Sequence, residues 1–375
     1  MVKTSVVAAV GHNPFVGERV APSDPRVRID MAMYYFYARG GAVPPEQQHA
    51  ALEALRSAPL SDEPFLLAGV DALAHGREAE GERLLVEARR RNPRLRMVRL
   101  LLLNQYLKQG RMAQASVEIS TINRLVTQAG NVFVPFLAQM VEDPKSGPGL
   151  IPLLRREPGL RDQVLLVMAN KGADPGRVMA IAGDTVRPSA QPPEWQSTLL
   201  DNLVKQNRYD AALELWRKLA GRSPEPAGKG IYDPALQGMP GPPPFNWILT
   251  ERGLGVAERA SGGGLSAEYY GRDDGDLASQ LLMLRPGRYR LSFRAEGDAQ
   301  GTSSRMAWSV SCGDAILVQV PVTGVTSAPH PFAASFAVPA GCPAQWLKLR
   351  GVSGDMETGQ SARFTALSVQ PEGAK

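Results

Sequence analysis

The chain has few of the side chains that bind metal ions or form covalent intermediates. Among its 375 residues there are two cysteines and four histidines. The histidines are scattered along the sequence, at His12, His49, His75 and His330. A zinc site needs several imidazole or thiolate ligands, and neither Cys-x-x-Cys nor His-Glu-x-x-His occurs. The sequence therefore predicts no metal site and no cofactor.

The motifs of nucleotide-binding and acyl-transfer enzymes are also missing. The glycine run at residues 262–264 lacks the Lys-Ser/Thr pair of a phosphate-binding loop, and no Gly-x-Ser-x-Gly elbow occurs. The carboxylate pairs that cleave glycosides are spatial, and a sequence does not show them. We expect a protein that is not an enzyme; the alternative is an enzyme of glycan metabolism, a hydrolase or a lyase.

Neither sign of charge dominates. The chain has 42 Lys and Arg against 37 Asp and Glu, a net charge of +5. This excess is too small to indicate a nucleic-acid partner, and we predict none. The densest basic run comprises Arg89, Arg90, Arg91, Arg94, Arg96 and Arg99. Because cations near a helix C-terminus complement the helix dipole, we expect this run to be a solvated face.

No hydrophobic run is long enough to span a bilayer. The apolar run at residues 6–10 is far shorter than the roughly 20 residues of a transmembrane helix. Residues 1–27 are predicted to form an extended segment. Two interpretations stay open: the chain carries no export signal, or the apolar run is the stub of an anchor that would hold the protein near a membrane.

The hydrophobic pattern changes its period across residues 221–244. Residues 28–220 have the helical period, whereas residues 245–371 alternate apolar and polar and are followed by a tail at 372–375. The tract between them is rich in proline and glycine, so it forms neither a continuous helix nor a central strand. The sequence predicts two domains and a partly stiff linker, which either separates them or lies along one of them.

The helical part repeats at an interval of 34 residues. Gly76 and Gly110 each end a predicted helix and are 34 residues apart. One unit places an aromatic, small and large apolar residues and a proline at Phe65, Gly69, Gly81, Leu85, Ala88 and Pro93. A later unit has Leu200, Leu203, Tyr209, Ala212, Trp216 and Leu219. The pattern resembles the tetratricopeptide repeat (TPR), most clearly at residues 63–127 and 194–220.

The resemblance to TPR proteins implies an α-solenoid whose curved groove binds a partner protein. The polar residues that would line the groove are Asp71, Asn104, Gln105 and Lys108. The alternative is that these side chains form the solvated faces of their helices.

Nine segments after the linker alternate apolar and polar residues. They are 245–249, 265–270, 278–284, 287–295, 305–312, 316–321, 332–338, 345–349 and 362–369. Their lengths and spacing predict an antiparallel β-sandwich. Because its three tryptophans lie within apolar segments, we expect them in the core. They are Trp247, Trp308 and Trp346.

Several phrases of this part resemble known modules. Residues 280–295 and the later segment at 346–349 resemble the jelly roll of galactose-binding-like and carbohydrate-binding modules. The segments 308–312 and 341–345, read as Trp-x-x-x-Cys and Gly-Cys-x-x-Gln, resemble the C-terminal module of bacterial cell-envelope TPR proteins found near polysaccharide-export genes. This resemblance implies a jelly roll in a protein of the periplasm or cell envelope.

Cys312 and Cys342 are the only cysteines, and they lie at the end and just before the beginning of predicted strands. A disulfide between them would close a loop of about thirty residues and imply an oxidising compartment such as the periplasm. The alternative is two buried free thiols in a cytoplasmic protein.

A polar cluster in the sandwich is the candidate ligand site. It comprises Tyr269, Tyr270, Arg272, Asp273, Asp274 and Asp276. Its carboxylates could hold a structural calcium ion, or its rings and carboxylates could face a sugar. The third interpretation is a polar hairpin loop without a ligand.

Neither half shows catalytic chemistry. We therefore expect a non-catalytic scaffold or adaptor of the cell envelope, with a partner protein in the TPR groove and a glycan or second protein on the sandwich, in polysaccharide synthesis or export. If the sandwich binds nothing, it is a rigid cap on the solenoid.

Overall fold

The computed structural model describes residues 14–129, 134–221, 230–299, 305–355 and 359–372. The chain forms two compact units, residues 1–164 and 165–375. This division differs from the predicted boundary near residue 221, because the last helices of the helical part belong to the same unit as the sandwich.

The first unit consists of helices. They are α1 (Pro14–Val20), α2 (Pro25–Ala38), α3 (Pro45–Ala54), α4 (Glu63–Ala74), α5 (Glu78–Arg91), α6 (Arg96–Lys108), α7 (Met112–Ala129), α8 (Val134–Glu142), α9 (Gly147–Arg155) and α10 (Pro158–Asn170), which contains the division between the units. No described helix is both long and apolar enough to cross a membrane.

Part of the segment predicted to be extended is helical. Residues 14–20 form α1, while residues 1–13 lie outside the described residues. Helix α1 packs through Gly17, where an added Cβ would lie 3.1 Å from a methyl carbon of Val27 on α2. A contact made by a glycine leaves no hydrophobic period in the sequence, which is why the helix was not predicted.

Two helical hairpins, α4–α5 and α6–α7, recur at the predicted interval. Helices α5 and α7 begin 34 residues apart. Gly76 and Gly110 precede them with φ of +75° and +70°, the left-handed conformation that favours glycine. Gly69 and Gly81 let α4 and α5 approach closely, since a Cβ at Gly81 would lie 3.1 Å from the Gly69 carbonyl oxygen. The small residues of the repeat therefore have geometric roles.

The basic run of the sequence is partly a buried clamp. Glu118 of α7 has a side chain only 1% exposed and pairs with Arg89 of α5 and Arg99 of α6, whose Nη1 lies 2.7 Å from the carboxylate. Arg91 instead lies over the ring of Phe65, 4.0 Å from its centroid. Three consecutive helices are thus tied together by one carboxylate, and these arginines do more than solvate a helix face.

Removing the charge of Glu118 should destabilise the first unit. In Glu118→Gln, two arginines keep their charge in a largely buried place, and breaking such a pair typically costs about 3–5 kcal/mol. We expect a loss of that order in urea unfolding followed by circular dichroism. Glu80→Gln, which breaks an exposed pair with Arg77, is the matched control and should change stability by less than about 1 kcal/mol. Equal effects in the two variants would contradict the buried clamp.

The second unit contains the remaining helices and all described strands. The helices are α11 (Pro175–Ala182), α12 (Glu194–Lys205) and α13 (Tyr209–Leu219), with a 3-10 turn at Gly183–Thr185. The strands are β1 (Ile248–Leu249), β2 (Gly255–Arg259), β3 (Leu265–Tyr269), β4 (Gly275–Leu282), β5 (Gly287–Asp298), β6 (Arg305–Cys312), β7 (Ala315–Val322), β8 (His330–Val338), β9 (Gln345–Val352) and β10 (Gln360–Pro371).

The strands form two antiparallel five-stranded sheets. The first has the order β1-β4-β9-β6-β7 and the second the order β2-β3-β10-β5-β8. Strand β3 pairs with β10, β4 with β9, β5 with β8 and β6 with β7, as in one long ribbon folded across two sheets. This order is that of a jelly roll, so the predicted sandwich is confirmed.

Strand β2 is the one that the sequence does not predict. Its inward residues Gly255 and Ala257 are too small to give an alternation of large apolar side chains. The segment predicted at 245–249 becomes a strand only at Ile248, although Trp247 before it is buried. Trp247 and Trp308 meet edge to face in the core, with ring centroids 6.0 Å apart, as predicted for both.

The described part of the predicted linker, residues 230–244, lies along its own unit. Residues 222–229 are outside the described residues. The backbone N–H and C=O of Tyr232 each hydrogen-bond the side chain of Gln280 on β4 at 2.8 Å. At the other end, Nε1 of Trp216 on α13 donates to the carbonyl of Pro242 at 2.9 Å. These bonds join α13 to the sandwich through a bound segment rather than a free tether.

The predicted disulfide between Cys312 and Cys342 is confirmed. It links the end of β6 to the turn before β9, with the two Cα atoms 5.9 Å apart. The side chain of Gln345 donates to the carbonyl of Cys342 at 2.8 Å and accepts from the N–H of Leu284 at 2.9 Å. The Gly-Cys-x-x-Gln phrase is therefore a structural device, in which the glutamine holds the backbone beside the bond.

Cys312→Ser/Cys342→Ser should lower the stability of the sandwich by roughly 3–4 kcal/mol, because the unfolded chain regains the freedom of a loop of about thirty residues. Thermal unfolding of the full chain measures the change. A reductant should reproduce it in the wild type and leave the double variant unaffected. Alkylation of both cysteines in protein isolated without reductant would contradict the bond.

Candidate functional site

The structure separates the residues of the predicted polar cluster. Tyr269 is completely buried, and its hydroxyl donates to the carbonyl of Asp273 at 3.1 Å. Its ring lies against Gly351, where an added Cβ would be 2.3 Å from a ring carbon. Burial raises the pKa of Tyr269 above its ordinary value. Tyr269 is therefore a core residue and does not face a sugar, whereas Tyr270 beside it is 36% exposed.

Asp274 closes a loop. The backbone N–H and the hydroxyl of Ser353 both donate to one carboxylate oxygen of Asp274 at 2.7 Å. These bonds, the one from the hydroxyl foremost, hold the pKa of Asp274 below its ordinary value. Its neighbours Arg272 and Asp273 are exposed. This part of the cluster matches the interpretation of a structured polar loop.

The carboxylates of the cluster do not converge on a metal ion. Asp274 is bound to Ser353, and Asp276 lies on β4 between two cations. Within the described ranges, no group of three or more His, Cys, Asp or Glu side chains could hold an ion. The structure therefore gives no support to the calcium interpretation.

A β-bulge turns Asp276 to the outside of the first sheet. The register between β4 and β9 shifts between Asp276 and Ala278, so Leu277 is an extra residue. Leu277 and Ala278 are both in the core. Asp276 then faces outward, where Nζ of Lys348 lies 2.7 Å and Nε of Arg350 lies 3.3 Å from its carboxylate. One predicted site residue is thereby placed among groups that the sequence does not connect to it.

The centre of this outer face is the β9 ridge, which we define as Trp346, Lys348 and Arg350. These residues alternate with Leu347 and Leu349, which are completely buried in the core. The side chains of Lys348 and Arg350 are 30% and 43% exposed, and Nζ of Lys348 lies 5.7 Å from the centroid of the Trp346 ring. The ridge thus presents an aromatic ring and two cations in a row.

Small residues of β6 form a trough beside the ridge. Ala307 and Ser309 pair in register with Arg350 and Lys348. They are only 0% and 5% exposed although they alternate with core residues such as Trp308. On the far side, Gln319 of β7 is exposed opposite Ser309. The outer face therefore has a polar floor with long side chains on both sides, the shape that an extended ligand needs.

The prediction that Trp346 lies in the core is not met, since its side chain is on the outer face and partly exposed. The signal was present in the sequence. Trp346 alternates with Leu347 and Leu349 and is in phase with Lys348 and Arg350. A ring in phase with charges belongs to the polar face of a strand.

The predicted groove residues of the first unit have different surroundings. Asp71 pairs with Arg77 at 2.7 Å, and Lys108 is exposed. Gln105 is buried, and within the described residues its Nε2 has no hydrogen-bond partner. Asn104 accepts a hydrogen bond from the hydroxyl of Ser146 at 2.7 Å.

Asn104 also lines an open groove between α6 and α8. The groove has a volume of about 340 Å³ and is mostly apolar. Its lining residues are Met97, Leu100, Leu101, Asn104, Phe136, Gln139, Met140 and Asp143. One of the four predicted groove residues therefore lies at an apolar groove between successive helical hairpins.

No protein-family model and no curated protein matches the chain. Among solved structures, the C-terminal region resembles the β-sandwiches of carbohydrate-binding modules. One, TmCBM61, was solved with β-1,4-galactotriose; identity is 15%, the TM-score is 0.28, and the match covers 39% of this chain and 100% of that one. For the CBM22-1 xylan-binding domain from Paenibacillus barcinonensis, the values are 10%, 0.27, 40% and 100%. A CBM4 module has 15%, 0.25, 34% and 88%. Values this low assign neither a family nor a ligand to the chain.

Ser353→Ala should raise the pKa of Asp274 part of the way towards 3.8, because one of its two donors is lost while the backbone N–H remains. A folded-state pKa below 3.8 stabilises the protein above that pH, and this stabilisation is lost as the pH falls through the folded-state pKa. NMR titration of the Asp274 carboxyl carbon measures the change. Ser292→Ala, on the other sheet, is the control; the same shift in both variants would contradict the pairing.

Proposed function

We propose that this protein is a non-catalytic binding protein whose sandwich binds a glycan on the outer face of the first sheet. The observation that carries the proposal is the β9 ridge beside its trough. An exposed aromatic ring stacks on the C–H groups of a sugar, and neighbouring polar groups exchange hydrogen bonds with hydroxyls. Lys348 and Arg350 supply donors, Asp276 supplies an acceptor, and Gln319 supplies both.

The face is also rigid, which favours binding. Its groups stand on β4, β9, β6 and β7, strands that are paired to one another and packed on the core. Side chains on a fixed strand lose less freedom when a ligand binds than side chains on a loop do. The predicted loop cluster, in contrast, spends Asp274 on Ser353 and buries Tyr269.

The helical hairpins support a second binding role, as part of the same proposal. The 34-residue interval, the capping glycines and the apolar groove at Asn104 suit a TPR-like solenoid that binds a partner protein. The disulfide suits an oxidising compartment. We accordingly place the protein in the periplasm or cell envelope, as an adaptor in polysaccharide synthesis or export.

An enzyme of glycan metabolism is the alternative proposal. Cleavage of a glycosidic bond ordinarily uses two carboxyl groups that flank it. On the proposed face, the described residues that pair in register with the β9 ridge include one carboxylate, Asp276. Binding without cleavage is therefore the function that this face supports best.

A glycan array probed with the full chain tests the proposal. We expect Trp346→Ala to weaken binding of the best glycan by about tenfold, because losing one stacked ring costs on the order of 1–2 kcal/mol. Tyr270→Ala, which removes an exposed aromatic side chain away from the ridge, is the matched control and should bind as the wild type does.

Two outcomes would contradict the proposal. A full chain that binds no glycan on the array would remove the glycan function and leave the sandwich as a cap. Release of shorter products from a bound glycan, measured as new reducing or unsaturated ends, would instead establish the enzyme alternative.

A further inference from the structure

The β9 ridge carries more positive charge than its surroundings neutralise. Lys348 and Arg350 stand two residues apart on one face, and both lie against the single carboxylate of Asp276. The pairing residues on the other side of the ridge are Ser309 and Ala307 on β6, which are uncharged. The next strand, β7, adds Gln319 and Pro321. Two cations share one anion, so the face keeps a net charge of about +1 at neutral pH.

Arg350 has unused hydrogen-bonding capacity. Its Nε lies 3.3 Å from Asp276 at ion-pair distance, yet this nitrogen is buried and forms no hydrogen bond among the described residues. The remaining guanidinium donors point from a side chain that is 43% exposed. A guanidinium presents its N–H groups as a planar fork that matches the two oxygens of a carboxylate. The donor set is therefore suited to an incoming anion.

Asp276 limits how much of this charge is available. It accepts from Lys348 at 2.7 Å, a shorter contact than the one it makes with Arg350. Lysine is thus the better neutralised of the two cations, and arginine is the more available one. An anion on the face would meet Arg350 first and would lie beside the neutral floor formed by Ala307 and Ser309.

We infer that the ligand of this face is an acidic glycan, and that the carboxylate of a uronic-acid residue binds the guanidinium of Arg350 with Lys348 beside it. A neighbouring sugar of the same chain then stacks on Trp346, four residues away along β9 and so roughly 13 Å distant. This separation calls for an oligosaccharide rather than a single sugar. The inference rests on the proposed glycan-binding function and adds the chemical class of the ligand.

A pair of polymers that differ only in charge tests the inference. Polygalacturonate and its fully methyl-esterified form have the same backbone, but the ester has no carboxylate. With the full chain in affinity electrophoresis or calorimetry, we expect the acid form to bind at least tenfold more tightly. We also expect binding of the acid form to weaken as salt is raised, because screening acts on exposed charges. Alginate serves as a second uronate with a different backbone.

Charge variants locate the effect. Lys348→Gln/Arg350→Gln should weaken uronate binding about tenfold and leave the methyl ester unchanged. Asp276→Asn should strengthen uronate binding, because the competing carboxylate is gone. Arg290→Gln/Arg294→Gln removes the same charge from the second sheet, where both arginines are exposed on β5, and should have no effect. Thermal melting confirms that each variant is folded.

The outcomes separate the inference from the function on which it rests. Tight binding of neutral glycans on the array, with no preference for either uronate, would overturn the inference and keep the proposed function. An equal loss in the Arg290/Arg294 control would also overturn it, since the binding would then be general attraction of anions. A chain that binds no glycan of either kind removes both.

Discussion

The register of β9 is fixed by what it buries. Leu347 and Leu349 are completely buried between the two sheets, and the strand pairs with β4 on one side and β6 on the other. A slip of one residue would turn Lys348 and Arg350 into the core, and unpaired buried charges are far too costly there. Core burial therefore decides which three side chains form the ridge. The candidate site is the reverse side of the hydrophobic core.

The second constraint is the bulge in β4. Strict alternation would put Asp276 on the same side as Ala278, inside the sandwich. The extra residue Leu277 takes an inward position of its own and sends the carboxylate outward to Lys348 and Arg350. The cations thereby gain a partner without a carboxylate having been buried. One added residue both completes the core beside Ala278 and sets the charge balance of the opposite face.

The sequence predicts features that recur and misses features that depend on one contact. The alternation of the later strands predicts the sandwich, and the two cysteines at strand boundaries suggest the disulfide. The interval between Gly76 and Gly110 predicts the hairpins. Tyr269 is in phase with Leu265 and Ala267, so its burial was open to prediction. The bulge at Leu277 was not, because apolar residues in succession suit a buried strand equally well.

The composition of the outer face favours holding a ligand over cleaving it. Cleavage would need a second carboxyl group across the bound chain from Asp276. The positions where such a group would stand, opposite the ridge on β6 and β7, are taken by Ala307, Ser309 and Gln319. Small and neutral residues there leave room for a polymer and add hydrogen bonds without acid–base chemistry. The same substitution of small residues for acids that removes a catalytic pair also leaves the two cations of β9 in excess, so the argument against cleavage and the argument for an acidic ligand have a single structural origin.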